Sequence, residues 1–445
     1  MTASDTPRTG EAAYPVSSGI RTYMLLVLTA TYTLAFMDRQ IINILAEPIK
    51  HDLHLADWQM GAMTGLAFAL LYTILGVPIA RISERGNRSY IIAAALAIWS
   101  AFTAISGLAN NFIHLLLARI GVGIGEAGCT PPAHSLITDI TPREKRAGAL
   151  AFYSMGLPIG TLLGMALGGI VAELFGWRSA FLLVGAPGIV LAIGIVFTVK
   201  DPRAAELRDL SVARPDVPPL KSTLAAVAST KSFRWMAFGA ALIALAGYGQ
   251  QTFYGSFYLR NHEPGLDWLA GLLGFDGRLA VLGIALGLIL GLTATAGTVA
   301  GGRFGDFFAR KGARGYLSVP ICATALAVPF LVAAFYVQHI GLSLFLLAIP
   351  SFLKAMWYGP VFASVQSIVA PRSRATAVAI FLFVVNAIGL GLGPVLTGLL
   401  SDLCARWFGP AEGLRVAMII LSMFVLLAAA CFAMARRTIE DDICS

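Results

Sequence analysis

Twelve stretches of about twenty or more residues run through this chain almost without charge, and each is the length that a bilayer core of ~30 Å demands of a spanning helix. They lie at 22–46, 58–80, 89–109, 112–140, 147–173, 178–199, 234–259, 278–302, 315–337, 341–369, 375–402 and 413–435. Inside lipid every backbone amide must be paired within the protein, which leaves helices or closed barrels. The runs show no period-two alternation, so they read as helices. Composition points the same way. Of 445 residues, 57% are hydrophobic and only 13% charged, with a mean hydropathy of +0.77, where soluble domains carry about 25% charged residues. The expected fold class is an all-α polytopic membrane protein.

A net charge of +8 and a pI near 9.4 would suggest nucleic acid in a soluble protein. Here topology explains them, and no nucleic-acid partner is expected. With the N-terminus placed in the cytoplasm, 23 of the 32 Lys and Arg fall in inner segments, six in outer ones and three inside spans. That bias orients the chain with both termini cytoplasmic. The expected organisation is a tail at 1–21, a six-helix bundle at 22–199, a linker at 200–233, a second bundle at 234–436 and a tail at 437–445. The linker is polar and holds Pro202, Pro215, Pro218 and Pro219. Met1 to Ile20 contains no apolar core of a cleavable signal, so the first span is expected to serve as its own. Five cysteines with no CxxC spacing give neither a disulfide framework nor a metal site, and no cofactor is expected.

The two halves echo each other. ITPREKRAGALAFYSMGLPIG follows span four and VAPRSRATAVAIFLFVVNAIG follows span ten; Pro142-Arg143 and Pro371-Arg372 then align at an offset of 229. The same offset puts Gly164 of span five on Gly393 of span eleven. ARISERGNR after span two is echoed by GGRFGDFF after span eight, and GWRSAF by EGLRVAM. With these repeats, with RIGVGIGEA in span four and with Asp201-Pro202-Arg203 after span six, the chain resembles the major facilitator superfamily over nearly its whole length. Its loop between spans two and three departs from that family's pattern, with Ala80 and Asn87 for glycines and Glu84 for Asp. AFMDRQIINILAEPIKHDL in span one and GVGIGEAGCTPPAHSLITDI in span four are similar to the spinster-like branch. The resemblance implies two pseudo-symmetric six-helix bundles and alternating access. It also implies a substrate class of lysophospholipids or sphingosine-1-phosphate-like lipids.

Ionisable residues deep in spans are few: Asp38 and Arg39 in span one, Arg119 and Glu126 in span four, Lys354 in span ten. Each costs about 2.5–3.5 kcal/mol at the bilayer centre, so each should face a wet cavity or a partner. At 1.5 Å per residue, Asp38 lies ~24 Å from the cytoplasmic start of span one and Glu126 ~21 Å from the cytoplasmic end of span four. The two therefore sit at similar depth. Arg119 and Glu126, seven apart, share a face. Lys354 falls one residue from the repeat image of Glu126, and the two are expected to meet across the cavity. One reading is an ion-pair clasp with no part in transport. The other is proton coupling at Asp38 and Glu126, with Arg39, Arg119 and Lys354 leaving one positive charge for an anionic head group. The spinster-like resemblance supports the assignment for the first four residues.

Other features are weaker. Tyr254 and Tyr258 belong to an aromatic stripe in span seven that could line a lipid-chain path or simply pack. Gly156, Gly160, Gly164 and Gly168 in span five, and Gly283, Gly287 and Gly291 in span eight, form smooth faces suited to close packing or to a moving seam between halves. Glu84 and Arg85, with Asp306 in the mirror copy, are expected to form inner-gate ion pairs. A short interfacial helix is expected over 264–277. No HExxH, GxSxG or paired His-carboxylate motif favours an enzyme, and no catalytic residue is expected. A membrane sensor would normally append a soluble output domain. The expected activity is that of a monomeric, proton-driven carrier of an amphipathic anion in a bacterial inner membrane. Its rival is a carrier of small organic anions, sugar acids or drugs.

Overall fold

The computed structural model describes residues 16–204, 220–310, 312–369 and 373–442. They are almost wholly helical, with no strand among the described residues. Eleven helical segments are long and apolar enough to cross a membrane. The remaining expected span, the seventh, is the 31-residue helix Lys231–Asn261, which is diluted by Arg234, Gln250, Gln251 and Arg260. Of the expected linker, 205–219 lies outside the described residues. Leu220–Ser229 forms a helix that packs on spans seven and eleven. The expected interfacial helix is Glu263–Leu273: Leu266 is buried, while Trp268, Leu272 and Leu273 stay exposed.

Spans four and ten are broken at equivalent places. Span four is Phe112–Glu126 followed by Thr130–Ile140, and span ten is Ile340–Ala355 followed by Tyr358–Ser367. Pro131 and Pro360, also 229 apart, explain both breaks. A proline lacks the N–H that would bond the carbonyl four residues back, and its ring crowds that carbonyl. Those carbonyls belong to residues 127 and 356, where the helices stop. Glu126 and Lys354 are thereby set at the ends of their first segments.

Glycine faces determine which helices touch. A Cβ on Gly160 would lie 2.4 Å from the Thr33 carbonyl oxygen, and one on Gly164 2.7 Å from that of Met37. The span-five ladder therefore beds span one inside its own half and is not the seam between halves, which corrects the expectation for Gly160 and Gly164. Gly393, the repeat image of Gly164, does the same against Leu245 of span seven, at 2.4 Å. The span-eight ladder does cross. Gly283 and Gly287 meet the carbonyl oxygens of Met165 and Leu162 of span five at 2.3 and 3.0 Å. On the other flank Gly61 of span two would meet Pro394 of span eleven at 2.1 Å.

These crossings cluster towards the end opposite the termini. There span two begins and span eleven ends, and span five ends where span eight begins. At the terminal end Arg146–Ser154 of span five, Ala294–Ala309 of span eight, Tyr358–Ser367 of span ten and Arg374–Val385 of span eleven pack within their own halves. Among the described residues the two bundles thus meet at one end and part at the other, leaving a cleft on the side of the termini.

Candidate functional site

The intramembrane charges pair crosswise between spans one and four. Arg119 donates to Asp38 at 3.1 Å, and the Thr103 hydroxyl donates to the other oxygen of Asp38 at 2.6 Å. One residue on, Arg39 donates through Nε and holds Glu126 at 2.6 Å. Neighbours on one helix turn point about 100° apart, so Asp38 turns into the bundle of the first half while Arg39 turns to the cleft. Asp38, Arg119 and Glu126 are 1–2% exposed, whereas the Arg39 side chain retains 19%. The Arg39 guanidinium lies over the rings of Phe68 and Tyr72, 4.7 Å from each centroid, and 5.2 Å from that of Phe36. Such stacking stabilises a partly desolvated cation.

The two carboxylates are not equivalent. Both oxygens of Asp38 have donors, while Glu126 keeps Oε1 buried without a partner, and Arg119 likewise keeps Nε. Leaving a buried acceptor bare costs about 1–3 kcal/mol. Glu126 is also the last residue of its helical segment, where the backbone dipole disfavours an anion.

Lys354 does not meet Glu126. It donates to Gln250 Oε1 at 3.0 Å in its own half, and it has no acidic partner among the described residues. Gln250 is held in turn by its own donation to Ser422 and the Met418 carbonyl. The expected meeting fails because the halves diverge at this depth. Tyr358, one turn beyond Lys354, is 41% exposed in mid-span, as a wall of the cleft must be. Tyr254 and Tyr258 are not such a wall. They are 1% and 0% exposed; the Tyr258 hydroxyl bonds Ser343 at 2.9 Å, and Tyr254 packs against Phe335. The side chains of Glu84 and Arg85 lie outside the described residues. Asp306 is exposed, with no ion pair among the described residues.

Two charge clusters escaped the sequence reading. At the terminal end, fully buried Arg88 binds both oxygens of Asp201 at 2.7–3.0 Å and reaches Asp139 at 2.7 Å. Burial pushes the Asp201 carboxyl up, but the Arg88 guanidinium and two backbone amides outweigh it and hold it below the usual range. At the closed end Arg260 of span seven grips Glu47 and Asp57 with four hydrogen bonds of 2.7–2.9 Å. Lys50 and Ser401 add bonds to Asp57 at 2.6 Å. Gln251 reaches Gln40 across the same junction at 3.0 Å. Nothing in the spacing of Arg260 and Arg88 marks them as buried.

This architecture has known counterparts. A sequence profile of the Major Facilitator Superfamily matches residues 28–394. An MFS-type efflux pump of Mycolicibacterium smegmatis is 31% identical over 94% of this chain and 93% of its own. Protein spinster homolog 1 of Mus musculus is 26% identical over 98% of this chain and 86% of its own. The crystal structure of a bacterial homologue of the human lysosomal transporter spinster, inward-facing and unoccupied, superposes with a TM-score of 0.83. It is 32% identical, covering 97% of this chain and all of that one. A twelve-helix architecture in two repeated halves, a cleft between them and a profile match over most of the length agree: this chain is a multi-pass membrane protein that belongs to the Major Facilitator Superfamily.

Proposed function

We propose that this protein is a proton-coupled, alternating-access carrier of an amphipathic anion such as a lysophospholipid. The observation that carries this reading is the unequal pair of carboxylates. Asp38 is held by Arg119 and Thr103, a fixed strut between spans one and four. Glu126 offers Oε1 to a proton while Oε2 holds Arg39. A proton on Oε1 neutralises Glu126 and frees Arg39, which already faces the cleft, for an anionic head group. Lys354 stands on the other half with no acidic partner among the described residues, so an anion bound between Arg39 and Lys354 draws the halves together. Closure around substrate is then linked to the proton. Placing the termini in the cytoplasm makes the open cleft inward-facing. The similarity to spinster proteins favours a lipid-like substrate, and the similarity to a hexuronate transporter of Bacillus subtilis, 24% identical over 88% of this chain, favours small organic anions as the second reading.

The test is movement of a fluorescent lysolipid in proteoliposomes with and without an imposed pH gradient, for the wild type and Glu126→Gln. We expect gradient-driven movement in the wild type, and in the variant retained binding but no response to the gradient. Unchanged pH dependence in the variant would remove Glu126 from the coupling. Movement of organic anions but not of lysolipid would transfer the mechanism to the second substrate class.

A further inference from the structure

The closed end carries a device that appears twice. In span five Gly169 and Glu173 stand four residues apart, and therefore on one helix face. In span eleven Gly398 and Asp402 do the same, and each is the repeat image of its counterpart at the offset of 229. Both pairs grip the first turn of a helix in the opposite half, at Leu279, the second residue of its helix, and at Asp57, the first of its own. A Cβ on Gly169 would lie 2.4 Å from the Leu279 carbonyl oxygen, and Glu173 Oε2 accepts the Leu279 amide at 2.9 Å. A Cβ on Gly398 would lie 2.3 Å from the Asp57 carbonyl oxygen, and Asp402 accepts the amides of Asp57 and Trp58 at 3.1 and 2.9 Å. The bare glycine admits the backbone of the partner helix, and the acid one turn on caps its unpaired amides.

We propose that Gly169/Glu173 and Gly398/Asp402 are a pair of repeat-related clasps, each capping a helix of the other half, that hold the outer end shut. Placing this end outermost and giving the shut state a place in a transport cycle rests on the carrier reading above. The geometry of the clasps does not. Neither helix is capped by the side chain of its own N-cap residue. The Asp57 helix begins after Ala56, which has no side-chain acceptor, and the Leu279 amide lies next to Gly277 and Arg278. Parting the halves at this end exposes amides of both helix starts and strips two carboxylates of their donors. A carboxylate beside a helix N-terminus is also favoured by the dipole. On the span-eleven side Arg260 and Ser401 reinforce the grip through the side chain of Asp57. The span-five side has Glu173 with no such reinforcement, so it is expected to open first.

The experiment measures distances and needs no substrate. Spin labels are placed at Leu108, in the loop after span three, and Trp407, in the last turn of span eleven, exposed residues at the outer end of the two halves, on a background with the five cysteines replaced. A second pair at Lys145 and Arg310 reports the other end. We expect Glu173→Ala with Asp402→Ala to raise the population with a long outer distance at least tenfold, and to shorten the inner distance in step. Glu173→Gln with Asp402→Asn retains an acceptor and loses the charge, so it should shift the population less. That pair also serves as the test should the alanine pair fail to fold. Glu173→Ala alone should open the outer end further than Asp402→Ala alone. Outer distances that stay at the wild-type distribution in folded double variants overturn the clasps, and with lysolipid movement intact they leave the carrier reading standing. Outer opening in a protein that moves no tested anion supports the clasps and removes the proposed substrate.

Discussion

At the scale of single residues, chemistry was more legible than pairing. A charge deep in an apolar run must have a partner or water, so Asp38, Arg39, Arg119 and Glu126 stood out from sequence alone. Which acid takes which base did not, because adjacent residues on span one diverge and only the packed bundle shows which faces inward. Lys354 went astray for a related reason: repeat arithmetic gives depth along a helix but not the separation of the halves. Arg88 and Asp201, 113 positions apart, had no signal beyond a basic loop and an Asp-Pro-Arg after span six, yet they form the most enclosed ion pair at the terminal end. Removing one partner of such a pair costs about 3–5 kcal/mol, because the other charge stays buried. Asp201→Asn should therefore lower the thermal unfolding midpoint in detergent. The sign with pH follows from the depressed Asp201 carboxyl. Its stabilisation is complete above the ordinary aspartate value of about 3.9, and it is lost as pH falls through the lower folded value. Melting curves should show the gap between wild type and variant open at neutral pH and narrowing only in strong acid. A gap independent of pH there would mean that the carboxylate charge is not what stabilises the fold.

At the scale of elements, the runs gave the helices but not their interruptions. Pro131 was visible, and Pro360 stands at its repeat image, but a membrane helix can absorb a proline where neighbours satisfy the freed backbone. Here the result is two matched breaks, at Ala127 just past Glu126 and at Met356 just past Lys354 and Ala355. Glycine ladders were equally visible and equally ambiguous, since a smooth face does not name its partner. The structure assigns them different tasks, and substitutions should separate the two. Gly160→Val drives a branched side chain into the backbone of span one at Thr33 and into Phe36. Overpacking of that kind costs about 1–3 kcal/mol, so the expected outcome is a lower melting temperature. Gly287→Val presses on Leu162 of span five across the seam, with closest approaches of 3.0–3.2 Å. That contact exists only while the closed end is closed, so the variant should melt near the wild type and populate the state open at that end. Equal loss of thermal stability in both variants would show that span eight is packed as permanently as span one.

At the scale of the whole molecule, the architecture of two six-helix halves was the most legible feature, because every term behind it is additive along the chain. Apolar length sets the spans, and the offset of 229 sets the repeat. The conformation was not legible, since a sequence that alternates between two states must satisfy both. What distinguishes the observed state is which polar groups are paired: Asp57, Glu47, Glu173 and Asp402 are engaged across the halves, while Arg39, Lys354 and Tyr358 border open space. Sidedness rests on a different physical quantity, the excess of Lys and Arg in the segments on the terminal side of the spans, 23 against six. Because such loops resist translocation, the cleft should open to the cytoplasm and the clasped end to the exterior. Single cysteines at Leu108 and at Lys145 test this in intact cells with a membrane-impermeant maleimide. Leu108 should react at once, and Lys145 only after the cells are permeabilised. The reverse pattern would invert the molecule: the cleft would face outward, and the clasps at Glu173 and Asp402 would then seal the cytoplasmic side.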